Sequence, residues 1–375
     1  MSAQPSILQF GTSRFLLGHA DFFISEALEN DRAIGTVAIV QTTNNPDSAK
    51  RIEALNSGEA YPVIIRGLSN GQPIDKQYQT KSVSAAYIAN RDWEMIRQLA
   101  TSVKAILSNT ADKGYLLNEA DDASLIDNPH IVPASFPAKL LVLLYNRWEK
   151  NPSEPLSIFP CELISRNGDI LRKIVLQLAQ EWKLPADFVR WMNNQCVFAN
   201  SLVDRIVSEP IDPVGAIAEP YALWAIEKAP GLTLPCEHPD IVLTDNLTVF
   251  EQLKLYILNL GHTFIAEQWL KDNRPKEEIV LEAMQDKSIR DELEAVWREE
   301  VIPIFIADGL EKEAQEYVVS VRERFLNPFL KHRIADIASN HEEKKQRRFA
   351  PVIARAGELG LNLPQARLKK ALGMT

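Results

Sequence analysis

The chain has 375 residues, 46% of them apolar and 24% charged, and a formal net charge of −9. That length exceeds what one hydrophobic core usually supports, so two domains are expected. The acidic balance excludes a general nucleic-acid binder, which would carry a basic face, and the longest apolar runs, such as Leu140 to Tyr145, are too short to span a bilayer.

Ser6-Ile7-Leu8-Gln9-Phe10 predicts a short strand that runs into Gly11-Thr12-Ser13-Arg14-Phe15, and Leu16 to Glu29 predicts a helix. A dinucleotide-binding unit opens in this order, because backbone N–H groups at the turn and the helix N-terminus meet a pyrophosphate. The pattern is degenerate. Ser13 and Leu16 stand where G-x-G-x-x-G carries its later glycines, and a plain strand-to-helix turn fits equally well. Thr36 to Val40 predicts a second strand, ending at Gln41-Thr42-Thr43-Asn44-Asn45-Pro46. An NAD-preferring site normally ends this strand on an acidic residue; Asp47 is the nearest, several residues on, so spacing leaves NAD and NADP both open. Gly11, Thr12, Ser13, Phe15 and Thr42 are the candidate cofactor contacts in this part of the chain.

Tyr61 to Gly67 and Gln77 to Ala86 predict a hairpin insertion that turns at Asn70-Gly71. A helix from about Asp92 to Ser102 and a strand over Val103 to Leu107 follow, the strand ending in Ser108-Asn109-Thr110. Ligands of doubly wound sheets sit beyond the carboxyl ends of strands, so Asn109, Thr110 and nearby Lys113 are candidates for a nicotinamide ribose; a capped loop is the alternative. Phe136 to Lys150 predicts a helix, Pro155 to Phe159 a strand, and Asp169 to Trp182 another helix. The three cysteines, Cys161, Cys196 and Cys236, are too few and scattered for a disulfide framework or a zinc cluster. With no secretory signal visible from Met1 to Gln9, a cytoplasmic protein with no membrane partner is expected.

The expected fold is α/β: an N-terminal Rossmann-type doubly wound domain over residues 1–200, then a mainly α-helical domain over 201–375. Helices are predicted there near Leu247–Trp269, Lys276–Met284, Ser288–Ile304 and Leu310–Phe325. The first of these is unusual. Leu253, Tyr256, Ile257, Leu260 and Phe264 form an apolar stripe, while Lys254, Asn259 and His262 fall within an arc of roughly 140° on the remaining side. Leu255, Leu258, Gly261 and Ile265 share that side, so the helix is apolar nearly all round and is expected to be buried. Three polar groups on a buried helix need partners, and a substrate would supply them.

Several stretches together resemble the mannitol dehydrogenase family, the polyol-specific long-chain dehydrogenases. Phe10 to Phe15 with Gly18-His19 resembles its nucleotide-binding opening, and Ser108-Asn109-Thr110 with Lys113-Gly114-Tyr115 its strand-end segment. Asn200 to Ile206 resembles its asparagine-to-aspartate-arginine link, and Lys254-x4-Asn259-x2-His262 its catalytic signature. Within the family, Ile7 to Gly11, Ile64 to Leu68, Cys161 to Ile164 and Lys344-x3-Arg348-x2-Pro351 resemble the tagaturonate reductase (altronate oxidoreductase) branch. The chain's length and its Leu-Asn-x-Gly-His ending are similar to mannitol-1-phosphate 5-dehydrogenases instead.

The resemblance implies metal-independent, NAD(H)-dependent hydride transfer to or from a sugar acid or polyol, by a monomer or dimer. It assigns Lys254 as acid/base, Asn259 as donor to the reacting oxygen and His262 as an orienting group. Burial would ease loss of the lysine proton, and Asp204 is the candidate carboxylate that tunes it. Lys254 and His262 lie roughly 12 Å apart along an ideal α-helix, so both touching one atom needs a bend or a long reach. Leu163 replaces an asparagine that helps hold the reacting oxygen in mannitol 2-dehydrogenases, which makes Asn167 a candidate substitute; Lys344 and Arg348 are candidates for a substrate carboxylate or phosphate. The degenerate glycine turn also fits a nucleotide-binding regulatory protein without turnover.

Overall fold

The structure, a computed structural model, describes residues 4–43, 47–110 and 114–374. The chain falls into two compact units, one of Met1–Ile64, Gln77–Ala218 and Ala222–Leu247, the other of Ile65–Lys76, Glu219–Tyr221 and Thr248–Thr375.

In the first unit, eight strands precede residue 200: β1 (Ile7–Phe10), β2 (Val37–Gln41), β3 (Tyr61–Ser69), β4 (Gln72–Thr80), β5 (Val83–Ile88), β6 (Ala105–Ser108), β7 (Leu156–Pro160) and β8 (Cys196–Phe198). Six of them form one sheet in the order β5-β2-β1-β6-β7-β8, and every neighbouring pair is parallel. This is the order of a dinucleotide-binding fold, with the strand order reversing beside β1. All residues of β1, β2, β6 and β7 are buried, as strands covered on both faces require. The helices of this unit are α1 (Arg14–Leu17), α2 (Ala20–Leu28), α3 (Asp47–Asn56), α4 (Ala89–Ala100), α5 (Ser124–Asp127), α6 (Phe136–Lys150), α7 (Asn167–Glu181) and α8 (Ala186–Gln195). Leu140, Leu141 and Leu144 of α6, Leu171 and Val175 of α7, and Phe188 of α8 share one core with Leu8, Ile106 and Ile158.

Three expectations need correction. The helix foreseen over Leu16 to Glu29 is interrupted, because Gly18 and His19 separate α1 from α2. The Gly18 carbonyl accepts from Arg205 Nη1 at 2.8 Å, and a Cβ on Gly18 would sit 3.1 Å from Ala216 Cβ. The hairpin does turn at Asn70-Gly71, both with positive φ, but its second arm is β4. Most of the remaining stretch to Ala86 is β5, the third strand of the parallel sheet.

The division of the chain also lies near residue 247 rather than 200. Residues 201–244 are not helical: β9 (Ser201–Asp204), β10 (Val207–Pro210), β11 (Ala216–Ala218), β12 (Leu223–Glu227) and β13 (Ile241–Thr244) lie there. They build sheets ordered β13-β12-β9 and β10-β11-β3-β4. Runs of three to five residues with mixed polarity carry little periodic signal, which is why they escape sequence reading.

The rest of the second unit is helical: α9 (Thr248–Leu253), a π-helical turn (Lys254–Asn259), α10 (Leu260–Lys271), α11 (Val280–Gln285), α12 (Lys287–Ala295), a second π turn (Val296–Val301), α13 (Ile302–Ala307), α14 (Glu311–Phe325), α15 (Ile334–Ile337), α16 (His341–Arg348), α17 (Ala350–Glu358) and α18 (Ala366–Ala371). Its core gathers Ile257, Leu260, Phe264, Leu293, Trp297, Phe305, Val321 and Phe349. Among the described residues, no helix is long and apolar enough to cross a membrane.

Candidate active site

The glycine turn after β1 has the geometry of a nucleotide cradle. Gly11 adopts φ +123°, and a Cβ there would lie 2.8 Å from the Asn109 carbonyl oxygen, so only glycine fits. Ser13 caps α1, its Oγ accepting from Leu16 N at 3.4 Å. The Thr12 carbonyl accepts from Arg51 Nη1 at 2.9 Å, and Phe15 stacks on His19 with ring centroids 4.9 Å apart. Thr42 follows the last residue of β2, whose Gln41 amide donates to the Thr43 carbonyl at 2.7 Å. Lys113 lies outside the described residues.

Asn109 and Thr110 are tied to the loop after β7. Glu162, buried in that loop, accepts four hydrogen bonds, from Ser108 Oγ, Thr110 N, Thr110 Oγ1 and Tyr115 Oη, all between 2.9 and 3.1 Å. Asn109 Nδ2 donates to the Cys161 carbonyl at 2.8 Å. Burial and the adjacent Glu162 push the Tyr115 phenol well above its usual range, keeping it a donor. Glu162 therefore organises the strand ends on which the nicotinamide-side candidates sit. A lone acid directly after a buried parallel strand is the one signal in the sequence that marks it.

Asn167 is placed differently from its expected substrate role. It is fully buried, its Nδ2 donating to the carbonyls of Pro160, Glu162 and Ser201 and its Oδ1 accepting from Gly168 N and Ser201 N. Both amide ends are spent on backbone, so it has no donor left for a substrate. Leu163 is 70% exposed in the same loop. Asp204 is buried at the end of β9, opposite Leu223, and the adjacent Arg205 lies over the Phe22 ring.

In the second unit, Lys254 and Asn259 are the first and last residues of the π turn. In an α-helix, five residues rotate the chain by about 500°, leaving these side chains about 140° apart. With i→i+5 bonding, residues five apart take the stacked relation that residues four apart hold in an α-helix. Lys254 and Asn259 thus share a face. His262 follows at i+3 from Asn259 in α10, a true neighbour. The bend that sequence reasoning required is this π turn.

Lys254 and Asn259 are half-buried and His262 is buried. Among the described residues, the Asn259 side-chain amide has no hydrogen-bond partner, so its donors are available. The His262 ring packs against Phe325 at 4.4 Å and edge-on to His332 at 4.9 Å. Burial holds the His332 imidazole below its ordinary range, against the pull of Asp336. His332 carried no signal in the sequence. Arg348 Nη1 donates to Thr263 Oγ1 at 2.7 Å and to the Asn259 carbonyl at 3.3 Å, while Lys344 Nζ donates to the Ile337 carbonyl at 2.7 Å and to Ser339 Oγ at 3.2 Å. Lys344 thus closes the end of α15; Arg348 stands beside Asn259.

The same architecture is found in known proteins. Residues 5–235 match the mannitol dehydrogenase Rossmann domain and residues 246–374 the mannitol dehydrogenase C-terminal domain. The chain belongs to the mannitol dehydrogenase family. The enzyme is an oxidoreductase of that family, with an α/β Rossmann-type unit and a largely helical one. It is 31% identical to altronate oxidoreductase of Bacillus subtilis (strain 168), over 96% of this chain and 76% of that protein. It is 30% identical to altronate oxidoreductase of Halalkalibacterium halodurans, over 94% and 72%. In structure it resembles D-sorbitol dehydrogenase in substrate-free form, with a TM-score of 0.80 at 19% identity, over 98% of this chain and 80% of that one. It also resembles the Pseudomonas fluorescens mannitol 2-dehydrogenase ternary complex with NAD and D-mannitol, with a TM-score of 0.74 at 17% identity, over 98% and 78%.

Proposed function

We propose that the enzyme interconverts a keto-sugar acid and its sugar acid, tagaturonate and altronate, with Lys254 as acid/base. The observation that carries this reading is the π turn, which sets the Lys254 amine and the Asn259 carboxamide on one face with His262 next along it. The sugar-acid substrate is supported by the altronate oxidoreductases that match nearly the whole chain.

NAD is the cofactor, and the residues present fit it: the parallel sheet has the dinucleotide-binding order, and Gly11 leaves the space that a Cβ would fill beside Asn109. When bound, the nicotinamide accepts or returns the hydride. The residues of the chain handle the oxygen. In the oxidation direction the neutral Lys254 amine takes the alcohol proton, and in reduction the ammonium returns it. Asn259 Nδ2–H donates to the same oxygen and stabilises its developing negative charge. His262 holds a neighbouring hydroxyl. Gly11, Thr12 and Ser13 receive the pyrophosphate, and Asn109 and Thr110, fixed by Glu162, face the nicotinamide ribose.

The deciding experiment follows reduced-cofactor absorbance with altronate, mannonate, mannitol, arabinitol and mannitol 1-phosphate, each with NAD and NADP. Altronate with NAD is expected to give the highest kcat/KM. A higher value on mannitol 1-phosphate or a neutral polyol overturns the sugar-acid assignment.

A further inference from the structure

A π turn is a local departure from α geometry and persists where neighbouring groups favour it over the α register. Two side chains from distant parts of the second unit bond to this turn. Trp297, buried in the second π turn, donates from Nε1 to the Ile257 carbonyl at 3.2 Å, in the middle of the Lys254–Asn259 segment. At the end of the segment, the Asn259 carbonyl accepts from Thr263 Oγ1 at 3.0 Å and from Arg348 Nη1 at 3.3 Å. The same Nη1 donates to Thr263 Oγ1 at 2.7 Å, closing a three-membered set around one carbonyl. The Trp297 ring comes this close because residue 261 is glycine: a Cβ there would lie 3.0 Å from Trp297 Cζ2.

None of these bonds touches the groups assigned to substrate. All of them end on backbone carbonyls, or on a hydroxyl that bonds one, inside or bordering the π turn. Arg348 has no carboxylate partner among the described residues, and burial, with Arg347, lowers its pKa from the usual arginine value. A guanidinium placed there without an anion is explained by the carbonyl it holds.

We propose that Trp297 and Arg348 are positioning residues that hold Lys254–Asn259 in π register, so that the amine and the carboxamide address one oxygen. In the α register the two side chains diverge by about 140° and cannot share a small target. The proposal rests on the acid/base reading of Lys254 given above.

The test uses the full-length enzyme with altronate and NAD, and four variants. Trp297→Phe keeps the ring and removes the N–H; Arg348→Met removes the donors, and Arg348→Lys restores one; Lys254→Met removes the acid/base. Trp297→Phe and Arg348→Met are expected to lower kcat about tenfold or more while the KM values for altronate and NAD stay within about threefold, and Arg348→Lys to recover most of the loss. Amide hydrogen exchange across residues 254–263 is expected to accelerate in both. In a Lys254→Met background, Trp297→Phe is expected to add no further loss, because both act through one group.

Unchanged kcat with unchanged exchange in both variants overturns the proposal, as does a full additional loss in the Lys254→Met background. A raised altronate KM at constant kcat in Arg348→Met identifies a substrate contact and overturns the positioning role for that residue. If Trp297→Phe fails to fold, the Arg348 pair decides alone. Wild-type turnover in Lys254→Met sinks the acid/base reading instead, and the exchange data then still report on the turn.

Discussion

Lys254 and Asn259 stand at the two ends of one π-helical turn, five residues apart and on a common face. That relationship makes a joint action on one oxygen possible, and it sets unequal expectations for the two residues. Lys254→Ala removes the proton carrier and should lower kcat by roughly 10²–10⁴-fold, the range typical of general acid–base groups. NAD affinity, measured by fluorescence titration, should be nearly unchanged, because the glycine turn that receives the cofactor is in the other unit. Asn259→Ala should cost about 10²-fold or more, as loss of an oxyanion donor does. Full activity of Lys254→Ala across the pH range would remove the lysine from the mechanism.

Gly261 and Gly357 make a matched pair of helical glycines with opposite expectations. A Cβ at 261 meets Trp297 Cζ2 and Phe325 Cε2, both at 3.0 Å, whereas nothing lies within 4 Å of one at 357. Gly261→Ala forces two buried rings to shift and should destabilise by about 1–3 kcal/mol, the usual cost of overpacking. Gly357→Ala should stabilise by up to about 1 kcal/mol through helix propensity alone. Urea unfolding of both variants checks the pair, and equal effects would contradict the packing seen around Trp297.

The sequence displays the first half of this architecture better than the second. A buried strand, a glycine turn and regularly spaced apolar strands mark the parallel sheet, because residues covered on both faces leave continuous apolar runs. β5 was hidden by its hairpin neighbour, since Gln72 to Ile88 offers strand residues with no strong break between β4 and β5. The π turn is not legible at all. Leu253, Tyr256, Ile257, Leu260 and Phe264 fit a 3.6-residue period, and the one-residue widening is set by tertiary bonds from Trp297 and Arg348 that lie 40 and 89 positions away. Asn167 shows the same limit from the other side. Its spacing after Cys161 and Glu162 suggested a substrate role, but its amide is saturated by backbone groups, from Pro160 to Ser201, that only the fold brings together.

Glu162 ties Ser108, Thr110 and Tyr115 to one carboxylate, and its variants should separate charge from hydrogen bonding. Glu162→Ala leaves the Thr110 N–H without its acceptor and should cost about 2–4 kcal/mol, with a raised KM for NAD because Asn109 and Thr110 lose their anchor. Glu162→Gln should lose less. Its carbonyl oxygen can still accept from Thr110, and its NH2 can donate to Ser108 and Tyr115, whose hydroxyls can turn to accept. Chemical denaturation together with KM for NAD tests this ranking; a glutamine variant as damaged as alanine would mean that the negative charge itself is required.

Asp21 is buried beneath β1 with one oxygen accepting from Gln9 Nε2 at 3.0 Å and the other, Oδ1, without a partner among the described residues. Burial raises its pKa to about 7, only partly opposed by the Gln9 bond. In the unfolded chain an aspartate titrates near 3.9, so between about pH 4 and pH 7 the folded state holds more protons than the unfolded one. Stability contributed by this group is therefore present at low pH and lost as pH rises through about 7. Asp21→Asn keeps an acceptor for Gln9 and abolishes the titration. It should raise the melting temperature relative to wild type at pH 8 more than at pH 5, by a difference on the order of 2 kcal/mol. An equal shift at both pH values would mean that Asp21 is already ionised in the folded enzyme at pH 5, with a partner for Oδ1 such as a buried water.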